Sequence, residues 1–312
     1  MNGRDPEPIE HTEELVGRAS FVIARRRAAV RDLGELALTE AVADRLATDV
    51  VSADAMQVYR DLPLLTNQPA RPTRLVAMWP LSHESSVGEY QRLAHAAIDE
   101  LVSTCGSAVV AGGTGLYLRA ALAELQLPPA ADPATRVRWE AEYDRDPAGS
   151  FAALSARDSV AAAALHVNDR RRVVRALELS EMGMSLAPES DRLWGTSTRH
   201  PTFIVGLEVP PEVLEQRIIE RTTAMFEAGV VAEVAAALAQ PISRTAAKAL
   251  GLDEISLLPV AAARERVIVR TRQYAAYQRK WMRRIPGLVG VDARRPADEV
   301  ASEILEVARA RQ

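Results

Sequence analysis

Short apolar runs alternate with longer stretches of helical spacing along this chain. Val50 to Ala53 and Ala108 to Ala111 are compact and rich in valine, and each is followed at once by polar or glycine-rich residues. Such runs read as buried parallel strands delivering chemical groups to their carboxyl edge. Phe21 to Ala24 predicts a first strand, Asp49 to Ala53 a second and Ala108 to Ala111 a third. Between them, 36–47 and 87–102 carry apolar residues at helical spacing, the second with Leu93, Ala94, Ala97 and Leu101 facing inward. A further helix is predicted over 116–125, after the turn Gly112-Gly113-Thr114-Gly115. This strand-then-helix order predicts an α/β fold with a parallel sheet flanked by helices.

The pattern changes at Leu127-Pro128-Pro129. From Asp132 to about Leu186 the chain is alanine-rich and helical without a convincing strand, which reads as an inserted all-α subdomain over 128–199. The α/β core is then expected over 20–127 and 200–312, behind a loose polar extension at 1–19. A strand is predicted at 202–209, and two long amphipathic helices at 212–239 and 264–284.

Composition narrows the function classes. Aromatic residues are only 4% of the 312, so alanine, leucine and valine must fill most of the core. The lone cysteine, Cys105, excludes an intrachain disulfide and a cysteine-built zinc site, and is expected as a small buried or half-buried apolar residue. No apolar run reaches the ~20 residues needed to span a bilayer, so a cytoplasmic protein without a membrane partner is expected. Net charge is −4, but its distribution matters more than its sum. Lysine occurs only at Lys248 and Lys280, while arginine clusters at Arg170-Arg171-Arg172 with Arg175 and again between Arg270 and Arg284. Arginine is the better planar partner for phosphate.

Three groups of residues carry candidate chemistry. Asp54 stands where a strand gives way to a loop, with Ser52, Gln57, Tyr59 and Arg60 around it and Thr66-Asn67-Gln68 soon after. A carboxylate there can take a proton from a nucleophile or hold a metal. The glycine turn at 112–115 lets backbone N–H groups approach an anion at a helix start, with Tyr117 and Arg119 following. Asn168, Arg171, Arg172 and Arg175 follow helical spacing and share a face, opposite Val173, Val174 and Leu177. In 271–284, Tyr274, Tyr277 and Trp281 form one stripe among arginines, suited either to a core or to stacking along a nucleic acid.

The segments SADAMQVYR, GGTGLYLRA, HVNDRRRVVRALEL, FIVGLEV, RTTAMFEAGVVAEV, KALGLDEI and TRQYAAYQRKWMRR occur in that order over about residues 20–290. Together they closely resemble the bacterial tRNA dimethylallyltransferases. The resemblance implies a fold related to P-loop kinases with a helical insert. It implies transfer of a dimethylallyl group from dimethylallyl diphosphate to N6 of the adenosine 3′ of the anticodon, on a base flipped out of the anticodon stem-loop. By the same resemblance Asp54 matches the general base and Thr114 a contact at the catalytic channel. Asp54, Ala55, Met56 and Gln57 match the segment that binds the flipped adenine. Arg171, Arg172, Val173, Val174 and Arg175 match the part of the insert that holds the tRNA, with Arg136 as a further contact. Mg²⁺ is implied as the bridge on the diphosphate, with no metal ligands assigned, and a monomer is expected.

One departure is large. The family's GPT-x-x-GK[ST] P-loop should occupy 28–35, but its diphosphate-binding end reads Arg31-Asp32-Leu33-Gly34-Glu35, and no lysine precedes Lys248. A P-loop lysine supplies charge to the phosphates and its Ser/Thr reaches Mg²⁺. Each lost charge-assisted hydrogen bond costs about 1.5–3 kcal/mol, so two or three would weaken donor binding on the order of a few thousand-fold. Arg25, Arg26, Arg27 and Arg31 offer partial compensation. The competing expectation is a tRNA-binding relative that has lost donor binding. A P-loop nucleotide kinase is disfavoured by the same missing lysine and by the arginine-bearing insert.

Overall fold

The computed structural model describes residues 19–24, 35–125, 127–129, 131–186 and 195–311. Five parallel strands, β1 (Ala19–Ala24), β2 (Val50–Ser52), β3 (Ser107–Gly112), β4 (Thr202–Glu208) and β5 (Val289–Asp292), form one sheet in the order β2-β3-β1-β4-β5. Beside the central β1, strand β3 is buried on both faces, as a parallel sheet covered by helices requires. All six residues of β3 are buried.

Alternate residues of β3 serve opposite layers. Val109 and Ala111 join a core with Leu38 and Val42 of α1 (Glu35–Arg45), Leu214 and Ile218 of α9 (Pro211–Glu227), and Val300, Ile304 and Leu305 of α13 (Ala297–Arg309). On the other face lie α3 (Val87–Cys105) and α4 (Gly115–Leu122), which pack against each other. The α3 helix starts where the Ser86 hydroxyl accepts the Glu89 N–H at 3.1 Å and ends at Gly106 in the left-handed region. It buries Tyr90, Ala94, Ala97, Ile98 and Leu101. Leu93 belongs to its exposed side, contrary to the sequence expectation, because Tyr90 and Ile98 set the inward stripe one position away.

Packing divides the chain into two units, Met1–Glu124 with Trp194–Gln312, and Leu125–Leu193. The second unit holds α5 (Pro133–Arg145), α6 (Pro147–Arg157), α7 (Ser159–Ala163) and α8 (Arg170–Glu181). Each of these helices begins at an aspartate whose carboxylate accepts an N–H three residues on. Asp132 takes that of Thr135, Asp146 that of Gly149, Asp158 that of Ala161 and Asp169 that of Arg172, at 2.9–3.2 Å. Such caps stabilise a helix by about 0.5–2 kcal/mol each. They explain the regular acidic interruptions of the alanine-rich segment. Trp139, Tyr143, Leu154, Val173, Val174 and Leu177 form its core.

Several expectations are corrected. The predicted helix over 212–239 is two helices, α9 and α10 (Val230–Leu238), because Gly229 adopts φ 93° between them. The helix predicted from Arg264 begins earlier, at Val260, and runs to Met282 as α12. Short helices α2 (Pro63–Thr66) and α11 (Leu252–Leu257), the edge strand β5 and helix α13 have no counterpart in the sequence reading. Cys105 is exposed at the end of α3 rather than buried. Of the expected 1–19 extension, Ala19 is the first residue of β1, and 1–18 lie outside the described residues.

Gly112 is where β2 and β3 close on each other: a Cβ there would collide with the Ala53 carbonyl. Gly112→Ala is expected to destabilise the fold at the upper end of about 1–3 kcal/mol, because backbone cannot rotate out of the way; urea unfolding measures it. In the second unit, the fully buried Glu178 receives Arg136 at 2.6 Å and Arg175 at 2.8 Å. Burial pushes its carboxyl up, but the hydrogen bonds from the two guanidinium groups outweigh this and hold it below its ordinary 4.5. The unfolded chain therefore binds this proton more readily than the folded one. The stabilisation is complete above pH 4.5 and is lost as pH falls through the depressed value. Glu178→Ala should cost about 3 kcal/mol, the lower end for breaking a buried pair, since Arg136 is partly exposed. Glu178→Gln should flatten the fall of the unit's melting temperature below pH 4.5, followed by circular dichroism.

Candidate functional site

The carboxyl edge of β2 and β3 gathers the polar groups read from the sequence. The Ala53 N–H donates to the Ala111 carbonyl at 2.8 Å, so the ladder continues one residue past β2. Asp54 follows, 7% exposed. Its Oδ1 accepts the N–H groups of Met56 at 2.9 Å and Gln57 at 3.4 Å, which folds the loop back over the carboxylate. The Ala55 N–H donates to Thr114 Oγ1 at 3.3 Å and links this loop to the glycine turn after β3. Thr114 stands at the start of α4 but caps no N–H of that helix with its side chain. Ala55, Met56 and Thr114 are half-buried and are the parts of this edge that solvent reaches.

The rest of the polar company is structural. Gln57 is buried: it accepts Ser52 Oγ at 2.9 Å and donates to the Asn67 carbonyl at 2.7 Å. Its side chain is spent inside the loop. Tyr59 points the other way, its hydroxyl bonded to Ser85 at 2.7 Å and to Thr245 at 2.5 Å. Arg60 is exposed and donates to the Met78 carbonyl at 2.7 Å. Gln68 donates to the Tyr59 carbonyl at 2.6 Å. Tyr117 packs against the fully buried Tyr90, the rings tilted by 36° with centroids 4.3 Å apart. Burial foremost, with the charges of Tyr117 and Asp54 behind it, pushes the Tyr90 phenol well up, so it stays a donor, held by the Ser52 carbonyl at 2.9 Å. Arg119 is 2% exposed, and burial pulls its pKa down.

A residue that the sequence pattern does not single out completes this edge. Gln278, fully buried on α12, donates to the Gly113 carbonyl at 2.6 Å, and Tyr274 donates to the same oxygen at 3.3 Å. The 271–284 segment draws attention for its aromatics and arginines, yet its one buried amide does the positioning. The aromatic stripe itself separates: Trp281 is buried, while Tyr277 is 62% exposed.

The insert residues also separate by surroundings. Arg171 and Arg172 are exposed at the start of α8. Val173 and Val174 are buried in the insert core, so their side chains are packing groups and not surface contacts. Arg175 donates to Glu178 and to the Pro128 and Pro129 carbonyls, the latter at 2.6 Å. Arg136 makes a two-pronged pair with Glu178 at 2.6 and 3.0 Å. Both hold the insert together before anything binds. Of the expected diphosphate positions, Arg31, Asp32, Leu33 and Gly34 lie outside the described residues, and Glu35 is the first residue of α1. Among the described residues no group of three or more His, Cys, Asp or Glu could hold a metal ion. No helix of the described residues is long and apolar enough to cross a membrane.

Residues 57–285 match the model of the IPP transferase family. The chain is 36% identical over 274 residues to a tRNA dimethylallyltransferase of Salinispora arenicola, across 83% of this chain and 79% of that one. It is also 36% identical over 284 residues to one of Streptomyces avermitilis, across 86% and 88%. Among solved structures, the full-length tRNA isopentenylpyrophosphate transferase of Bacillus halodurans superposes with a TM-score of 0.65 at 25% identity, covering 93% of this chain and 95% of that one. A eukaryotic dimethylallyltransferase acting on tRNA superposes with a TM-score of 0.70 at 23% identity, covering 88% and 74%, and supports the fold. With this sheet order, this helical insert and matches over most of its length, the chain belongs to the IPP transferase family of tRNA dimethylallyltransferases.

Proposed function

We propose that this chain transfers a dimethylallyl group from dimethylallyl diphosphate to N6 of the adenosine 3′ of the tRNA anticodon. The observation that carries the reading is the Asp54 carboxylate at the end of β2, held by the Met56 N–H beside the Ala55 N–H that donates to the Thr114 hydroxyl. Enzymes acting on a base in a paired or stacked strand take it out of the stack. The exocyclic amine of such a base attacks C1 of the donor. The N6–C1 bond forms, the C1–O bond to diphosphate breaks, and the N6 proton passes to Asp54. Its Oδ1 is occupied by loop N–H groups, which fixes the carboxylate's direction and leaves Oδ2 for the proton. Thr114 Oγ1 accepts from Ala55, so its own hydroxyl hydrogen is available to a substrate oxygen or nitrogen. The segment Ala55–Met56 then forms the near wall for the purine.

The tRNA contact on the insert falls to Arg171 and Arg172, whose guanidinium groups are exposed and uncommitted. Arg136 and Arg175 support the helix that presents them. Mg²⁺ bound together with the donor would offset the charge of its diphosphate. The chain is read as a cytoplasmic monomer whose partners are the anticodon stem-loop and the prenyl diphosphate.

Mass analysis of N6-modified adenosine in tRNA from a host lacking its own enzyme, with this chain expressed, tests the reading. No modified adenosine at any expression level would count against it. Asp54→Asn should lower turnover by about 10²–10⁴-fold, the usual worth of a positioned base, while stem-loop affinity stays unchanged in a filter-binding assay. Arg171→Gln with Arg172→Gln should weaken stem-loop binding and reduce the slope of log K against log salt by about 1 per arginine. Unfolding should be unaffected, because neither side chain holds the insert core.

A further inference from the structure

We infer that α12 supplies the positive charge for the donor's diphosphate in this chain, through Arg279 and Arg283 in a pocket at the carboxyl edge of β4 and β5. The inference rests on the prenyl-transfer reading and names the diphosphate end of the same site.

The last residue of β1, Ala24, pairs with Gly112 of β3 on one side and with Gly206 of β4 on the other. On the β3 side lies the edge with Thr114 and Asp54. On the β4 side, beginning at Gly206, opens a pocket of about 480 Å³. Volumes of that order suit a small organic ligand. The α12 helix passes over both: Gln278 is pinned to the Gly113 carbonyl, and the next residue, Arg279, lines the pocket. Donor and acceptor ends of one reaction are thus placed on either side of β1.

The lining has the chemistry of a prenyl diphosphate. Val209, Pro210, Met282 and Leu288 give apolar walls. Among the described residues Arg279 Nε is buried without a hydrogen-bond partner, a costly state for a guanidinium N–H unless an anion completes it. Arg283, one helical turn further, lines the same pocket and has no ion partner among the described residues. Arg294 is committed to Asp292 at 2.6 Å, so these two charges cancel. Two uncommitted guanidinium groups then face a single uncommitted carboxylate, Glu208. Forked N–H donors in pairs match phosphate oxygens better than a lysine point charge does. The chain has no lysine before Lys248 to compete for that role.

The test is a ³¹P NMR titration of the whole chain with inorganic pyrophosphate and with dimethylallyl diphosphate, with and without Mg²⁺. Arg279→Gln and Arg283→Gln should each weaken pyrophosphate about tenfold or more, with Arg→Lys recovering part of the loss. Glu208→Gln should tighten metal-free pyrophosphate, a gain that misfolding cannot mimic. Absence of binding by the unaltered chain at 10 mM ligand (about the weakest useful affinity) overturns the inference. So does unchanged affinity in both arginine variants, or loss only when Arg25, Arg26 and Arg27 are replaced. The two readings fail separately. If the chain modifies no tRNA yet loses pyrophosphate affinity in both variants, the pocket stands and the transfer reading falls. If it modifies tRNA while both variants bind pyrophosphate normally, only the pocket falls.

Discussion

The closure of β2 on β3 at their carboxyl edge is the constraint on which the rest depends. Gly112 allows it, since no side chain fits beneath the Ala53 carbonyl. The Ala53 N–H then completes the ladder on Ala111, and the Ala55 N–H reaches the Thr114 hydroxyl. Asp54 lies between these two bonds, so its carboxylate has little freedom left. From the far side, Gln278 fixes the Gly113 carbonyl and ties the glycine turn to α12. In the proposed transfer this carboxylate is preorganised: its orientation is set by folding and not by substrate. The cost is burial, which the two loop N–H groups on Oδ1 offset.

Much of this fold is legible in the sequence because parallel strands buried on both faces must be short apolar runs. Val50–Ser52 and Ser107–Gly112 meet that condition and are followed by polar edges. The insert is legible through its aspartates, each placed where a helix starts, amid alanine. Elements at the periphery are not. The β5 strand sits at the sheet's edge with only Val291 of its four residues buried, so its residues need not be apolar. The break at Gly229 is hidden because the apolar spacing continues on either side of one left-handed residue. Helical periodicity reports which face is buried and not whether the axis is continuous.

The site was legible by residue type but not by direction. Gln57 and Tyr59 flank Asp54 in sequence, yet both turn inward and build the loop, because a buried loop must satisfy its own backbone. Gln57 alone meets Ser52, Thr66 and Asn67. The resemblance groups Val173 and Val174 with Arg172, but helical spacing sets them on the opposite face, where α8 uses them for the insert core. No local pattern distinguishes a glutamine such as Gln278, buried and donating across 165 residues, from a solvated one on a helix surface.

Arginine shows why charge counts alone mislead. Arg136 and Arg175 look, in sequence, like the phosphate-binding arginines beside them. Their guanidinium groups are instead consumed by Glu178, a carboxylate with no access to solvent. Freeing either for RNA would leave that carboxylate underpaired in the insert core, a loss that a phosphate contact at the surface does not recover. Arg171 and Arg172 carry no such debt, and neither do Arg279 and Arg283. In the proposed function, recognition of a polyanion falls to arginines of this kind, whose release costs the fold nothing. In a chain so short of lysine, those four residues divide into one pair on the insert and one on α12. The first is surrounded by solvent and suits a mobile RNA backbone, where binding is salt-sensitive. The second sits against apolar walls with one Nε already dehydrated, where a compact diphosphate gains most from each hydrogen bond.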